Sequence, residues 1–132
     1  MAGINNETSY REDTLYNLLV NRNRTLNFTK KCVFFSATTT GFTEFNFDFS
    51  IYTGATMEVR RTFGSTVLLT FSTLDGSIIL GANGEFSLVK SADDLKTLRA
   101  GEYQYDIYLS SNSKPKRAFL YGKFTLYDYI TE

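Results

Sequence analysis

The chain has 132 residues, which is enough for one ordinary domain with a single hydrophobic core. Hydrophobic residues make up 42% and charged residues 21% of it, which excludes an intrinsically disordered composition. Because 14 basic residues balance 14 acidic ones, the net charge gives no reason to expect a nucleic acid or an anionic membrane as partner.

Residues 1–31 are rich in Asn, Arg and Thr and lack the alternation of apolar and polar residues typical of strands. We therefore predict an N-terminal docking arm or extension over residues 1–31, followed by a domain over residues 32–132 that folds without it. The spacing of Leu15, Leu18 and Leu19 is that of a short helix. Such a piece cannot bury its apolar face alone, so it either packs on the domain or docks on a neighbouring protein.

The arm also contains a basic stretch with interleaved apolar residues. Five basic residues face three acidic ones over the arm, so the excess of positive charge is small and docking on a protein is favoured over binding to a phosphate backbone. The arm residues predicted to bind a partner are Leu15, Tyr16, Leu19, Arg22, Arg24 and Phe28.

From Cys32 onward, apolar and polar residues alternate in short runs that are typical of β-strands with one wet face. Asp75-Gly76 and Asn83-Gly84 are hairpin-type turn dipeptides. About seven short strands separated by such turns predict an all-β sandwich. The predicted inward positions are Phe45, Phe47, Phe49, Met57, Val59, Val67, Leu69, Phe71, Phe86, Leu88, Tyr103, Tyr105, Ile107, Leu109, Leu120, Gly122, Phe124 and Leu126.

One short helical turn interrupts the β pattern at residues 91–98. Ser91 and Asp94 resemble a capping box, and Leu95 and Leu98 have helical spacing. Ala100-Gly101 then ends the turn before the next strand.

The late strands carry aromatic residues on both faces. Phe119 and Tyr121 are predicted to lie outside the core, together with Tyr108 and Tyr127. Because Tyr is enriched at the centres of protein interfaces, Tyr108, Tyr121 and Tyr127 indicate a contact surface. The alternative, that the N-terminal segment covers them, is equally compatible with the sequence.

Residues for catalysis are scarce. The chain contains no His, so the commonest general base and metal ligand is missing. Cys32, the only cysteine, is expected to be a small buried apolar residue, and its solitude excludes an internal disulfide and favours folding in a reducing cytosol. Asp93 and Asp94 complement the start of the helical turn. We expect no enzyme activity, cofactor or metal.

Four segments carry a family resemblance: YTGATM at 52–57, GEFSL at 84–88, LRAGEYQYDI at 98–107 and LYGKFTL at 120–126. Residues 51–130 resemble the immunoglobulin-like modules of tailed-bacteriophage structural proteins, such as the N-terminal domain of baseplate upper proteins. The resemblance implies an immunoglobulin-like β-sandwich, no catalytic residues, and assembly in the bacterial cytoplasm into a virion. Residues 1–31 match nothing in that family.

The function expected from these observations is that of a non-enzymatic virion structural protein. Because the sequence ends just after the last predicted strand, we expect a capsid auxiliary or decoration subunit that docks through its arm. A baseplate, neck or fibre adaptor is the alternative, and a carbohydrate-binding sandwich with a tyrosine platform is the second alternative. The expected partners are other virion proteins, namely the major capsid protein or baseplate, neck or fibre components, with a homo-oligomer as a further option and with neither nucleic acid nor membrane.

Overall fold

The computed structural model describes residues 14–112 and 116–128, and these ranges fold mainly as β-strands. A 3₁₀ turn at Phe49–Ile51 and one short helix, α1 (Ala92–Leu95), interrupt them. In chain order the strands are β1 (Thr14–Leu15), β2 (Leu18–Asn21), β3 (Leu26–Lys31), β4 (Val33–Thr38), β5 (Gly41–Asn46), β6 (Gly54–Arg60), β7 (Val67–Ser72), β8 (Ile78–Leu80), β9 (Glu85–Lys90), β10 (Gly101–Ser110) and β11 (Arg117–Tyr127).

The larger sheet has six strands in the order β1–β11–β10–β6–β7, and β2 pairs with β11 further along the same edge. The pairs of β6, β7, β10 and β11 are antiparallel, whereas β1 and β2 run parallel to β11. A second antiparallel sheet has the order β3–β9–β8, and β4 and β5 form a separate two-stranded hairpin.

The core lies between the two sheets and is built by the period-two pattern of the strands. Tyr103, Tyr105, Ile107 and Leu109 of β10 are each at most 3% exposed. Opposite them, β9 contributes the inward side chains of Phe86 and Leu88. The predicted all-β sandwich is thereby confirmed.

The corner before β10 has a feature that immunoglobulin domains share. The hydroxyl of Tyr103 donates a hydrogen bond of 2.8 Å to the carbonyl of Arg99, four residues upstream. This is the tyrosine corner of immunoglobulin domains, in which a tyrosine near the start of a late strand bonds back to the preceding connection. Tyr105 stands two residues further on, where antibody domains have the second cysteine of their inter-sheet disulfide.

The helical turn forms where the sequence predicts it. The hydroxyl of Ser91 accepts a hydrogen bond of 3.1 Å from the backbone N–H of Asp94, which satisfies one of the orphan donors at the start of α1. Leu95 and Leu98 are buried against the sandwich.

The N-terminal segment differs from the prediction. Residues 1–13 lie outside the described ranges, but from Thr14 onward the segment forms β1, β2 and β3 instead of lacking strands, and the predicted helix is wrong. Leu18 and Val20 point into the core at 6% and 3% exposure. The alternation was hidden because the outward positions Leu15 and Leu19 are apolar as well.

The prediction that Phe119 lies outside the core is also wrong, because β11 contains an irregularity. Ile107 pairs with Leu120 but Tyr108 pairs with Ala118, so Phe119 is an extra residue in the ladder. Such a β-bulge re-aims a side chain. Both Phe119 and Leu120 therefore point inward, at 8% and 4% exposure.

Two further predictions need correction. Phe45 is 43% exposed on β5, and Phe49 is buried from the 3₁₀ turn instead of from a strand. Asp75-Gly76 does not close a hairpin, because it joins β7 of one sheet to β8 of the other.

Asn83-Gly84, in contrast, closes the predicted hairpin between β8 and β9, with φ of 59° and 79°. Glycine is required at position 84 for two reasons. Its φ is positive, and a Cβ there would lie 2.4 Å from the carbonyl oxygen of Cys32.

Candidate functional site

Two exposed leucines, the exposed Tyr127 and the half-buried Tyr108 and Tyr121 lie on the side of the larger sheet that faces away from the core. The register sets Leu15 beside Tyr121 and Asn21 beside Tyr127. Leu15 is 58%, Leu19 72% and Tyr127 37% exposed. We call Leu15, Leu19, Tyr108, Tyr121 and Tyr127 the outer face.

The two predicted groups of contact residues therefore meet. Leu15 and Leu19 come from the N-terminal segment, and the tyrosines come from the late strands. They are neighbours because β1 and β2 add to the sheet edge beside β11. Within residues 14–31, the N-terminal strands β1 and β2 lie beside the tyrosines of β11 in the same sheet.

Charged side chains of β6, β10 and β11 lie on the same side of the sheet, where Lys123 of β11 lies 3.5 Å from Glu102 of β10. The guanidinium of Arg60 lies 2.8 Å from the carboxylate of Glu58 and 3.6 Å from that of Asp106. The hydroxyl of Tyr108 donates a 3.0 Å hydrogen bond to the carboxylate of Asp106. The pKa of Tyr108 is raised, mainly by desolvation and to a smaller extent by this hydrogen bond. The face therefore combines apolar side chains with ion pairs.

Arg22 and Arg24 lie away from the outer face. The guanidinium of Arg22 donates to the carbonyls of Leu98 and Lys96 at 3.1 and 3.2 Å, so it holds the end of the helical turn against β2. It also lies 3.4 Å from the carboxylate of Asp128. Arg24 is exposed in the turn between β2 and β3.

Tyr16 and Phe28 serve the interior more than the surface. Both are partly buried against the core, and their ring centroids are 6.0 Å apart. The ammonium of Lys30 lies 4.3 Å from the centroid of the Tyr16 ring.

Sequence reasoning missed a second apolar surface, the hairpin of β4 and β5. Its side chains Val33, Phe42 and Phe45 are 37%, 77% and 43% exposed. The hairpin was missed because Phe45 continues the alternation of Phe47 and Phe49, which led to the prediction of one core strand. The available signal was the Gly41 that precedes the run and marks a turn.

Beside the base of the hairpin lies an open cleft with a volume of about 780 Å³. The rings of Phe47 and Tyr52 are stacked on its wall, with centroids 6.1 Å apart and an interplanar angle of 12°. The other lining residues are Asp48, Phe49, Ser50, Thr53, Thr73, Gly76, Ile78, Ile79, Leu80, Gly81, Ala82 and Asn83.

The side chains considered for catalysis, Cys32, Asp93 and Asp94, have surroundings that fit structural roles. Burial raises the pKa of the Cys32 thiol, which disfavours the nucleophilic thiolate. Asp93 and Asp94 lie in the first turn of α1 as predicted. Within residues 14–112 and 116–128, no group of three or more potential metal ligands comes together. None of the helices in the same ranges has the length and apolar character of a membrane span.

Comparison with known proteins adds little to this picture. No protein-family model and no curated protein matches the sequence. Among solved structures, the chain is similar to the endo-β-1,4-mannanase from Thermotoga petrophila, with a TM-score of 0.46 and 11% sequence identity. The match covers 86% of this chain and 18% of the mannanase chain. A likeness of this size supports no statement about function.

Proposed function

We propose that this chain is a non-enzymatic docking module that binds another protein through its outer face. The observation that carries the proposal is the convergence of Leu15 and Leu19 with Tyr121 and Tyr127 on one side of the sheet. The two leucines are 58% and 72% exposed. Leu15 lies beside Tyr121 and Leu19 beside Thr125, and the exposed Lys123 separates Tyr121 from Tyr127 on the same side of the sheet. Apolar surface of this kind marks an interaction site in an otherwise well-buried domain.

The proposed setting is the virion of a tailed bacteriophage, as a capsid auxiliary or decoration subunit. The support is the resemblance of the LRAGEYQYDI segment, which forms the tyrosine corner around Tyr103. A baseplate, neck or fibre adaptor is the alternative, since each of these roles needs the same inert sandwich and a docking face. Repeated copies on a particle would turn a modest interface into tight binding.

The test uses the phage that encodes the chain, with the gene replaced by variants. Leu15→Ser combined with Leu19→Ser removes apolar surface from the outer face. Leu74→Ser is the matched control, because Leu74 is 97% exposed in the turn after β7. Mass spectrometry of purified particles measures incorporation of each protein.

We expect the wild-type and control proteins in the particles and a strong loss of the double variant. Absence of the wild-type protein from particles would refute the virion role. Equal incorporation of all three proteins would refute docking through the outer face. A symmetry-resolved image of the particle would then separate a capsid position from a tail position.

A further inference from the structure

The hairpin of β4 and β5 is built as a projection with apolar side chains on both faces. The register pairs Ala37 with Phe42 and Val33 with Asn46, which places Phe42 and Val33 on one face. Phe45 pairs with Phe34 and lies on the opposite face. A two-stranded hairpin is marginally stable by itself in water, so a surface that covers Phe42, which is 77% exposed, would stabilise it.

The cleft is the complementary feature on the same chain. Its volume of about 780 Å³ lies within the range of about 300–1,000 Å³ that is typical of pockets for drug-sized ligands. Because a phenylalanine side chain is smaller than such a ligand, the cleft has room for one. Asp48 is the only charged residue among those that line it, and Ile79 on its wall is 52% exposed. An apolar ring can therefore enter without stripping water from buried charges.

The hairpin of one molecule does not fill its own cleft, since neither Phe42 nor Phe45 is among the described residues that line it. Hydrogen bonds of 2.7 Å from Cys32 N–H to Gly84 and of 2.9 Å from Phe47 N–H to Cys32 fix its base at the cleft rim. The paired strands then hold Phe42 four residues from the end of β5 at Asn46, which is about 13 Å at ~3.3 Å per residue.

We propose that copies of this chain associate head to tail, with the β4–β5 hairpin of one copy inserted through Phe42 into the cleft of the next. A projection and a receptor at different places on one chain make a heterologous contact, which produces rings or filaments instead of a closed two-fold dimer. The hairpin is smaller than the 20–30 residues that each side of a standard interface supplies, so each contact is weak and association depends on concentration. The outer face stays free for another protein.

The test is the mass of the purified protein in solution over a range of concentrations, measured by sedimentation velocity. Phe42→Ser removes the projection and Ile79→Ser alters the receptor. Both side chains are exposed, so the variants should fold, and thermal melting checks this. Leu74→Ser is again the control.

We expect the mass of the wild type and the control to rise with concentration, while each single variant stays monomeric. An equimolar mixture of the two variants should reach twice the monomer mass and no more, because one intact projection meets one intact receptor. This rescue is specific to a head-to-tail contact.

Three results would overturn the proposal. They are a wild type that is monomeric at every concentration, single variants that still associate, and a mixture that stays monomeric. A saccharide from a glycan array that binds the wild type but not Ile79→Ser would assign the cleft to carbohydrate instead. None of these results depends on particle incorporation, so they test the hairpin and the cleft separately from the outer face.

Discussion

Tyr105→Phe tests how the N-terminal strands are held in the sandwich. Tyr105 pairs with Gly122 of β11, and its hydroxyl donates a hydrogen bond of 2.5 Å to the carbonyl of Tyr16, between β1 and β2. Gly122 allows this approach, because a Cβ there would lie 2.4 Å from the same carbonyl oxygen. The phenol of β10 thus reaches across β11 to the edge of the sheet.

The substitution keeps the ring and removes one buried hydrogen bond. Tyr105 is 1% exposed, so the Tyr16 carbonyl loses a donor that water does not easily replace. Such a loss costs about 1–2 kcal/mol of the free energy of unfolding, or a fall in Tm of roughly 4–8 °C for a domain of this size. Protection of the β2 amides against hydrogen exchange should fall by a factor of about 5–30. This factor is the change in the opening equilibrium constant that corresponds to about 1–2 kcal/mol.

Urea denaturation and native-state amide exchange measure these changes. Tyr108→Phe is the matched control, because its hydroxyl bonds to Asp106 of the same strand and ties no other strand to the sheet. The control should change the free energy of unfolding by no more than about 0.5 kcal/mol. Equal losses in the two variants, or unchanged exchange in β2, would refute the role of Tyr105 as a tie.

Three more predictions concern the same core. Burial raises the pKa of Tyr105 above its ordinary value of 10.0, so the unfolded chain ionises first. The contribution of the Tyr105 hydroxyl to the free energy of unfolding is complete below a pH of about 10. Above that pH it falls by up to about 1.4 kcal/mol per pH unit. Urea melts at rising pH should show this fall in the wild type, and the part due to Tyr105 should be missing in Tyr105→Phe. Phe119→Ala should cost about 3–5 kcal/mol, whereas Tyr121→Ala beside it should cost less than about 1 kcal/mol, and equal costs in melts would contradict the bulge. Deleting residues 1–31 should abolish cooperative unfolding in circular dichroism, because Leu18 and Val20 leave the core, and a cooperatively folded product would show that the segment is dispensable.

Part of the candidate site could be predicted from the sequence, one residue at a time. Tyr121 and Tyr127 are predicted outside the core by the alternation of β11, and Leu15 and Leu19 by their position in an apolar cluster that needs cover. The sequence did not predict that the leucines lie close to the tyrosines, because this depends on β1 and β2 pairing with a strand about one hundred residues away. Long-range pairing leaves no local mark on sequence.

By itself, the sequence determined the β character, the inward stripe of β10 from Tyr103 to Leu109, and the capped turn that begins at Ser91. These features depend on local physics, because side chains in a strand alternate between two faces and a hydroxyl caps only nearby backbone N–H groups.

Only the tertiary structure decided the inward turn of Phe119, the exposure of Phe42 and Phe45 on the hairpin, and the formation of β1, β2 and β3 within residues 14–31. Each of these depends on the strand that lies alongside. The ladder of β10 leaves Phe119 as an extra residue, whereas the β4–β5 hairpin leaves Phe42 77% exposed. The same alternating pattern therefore builds core in one place and surface in another.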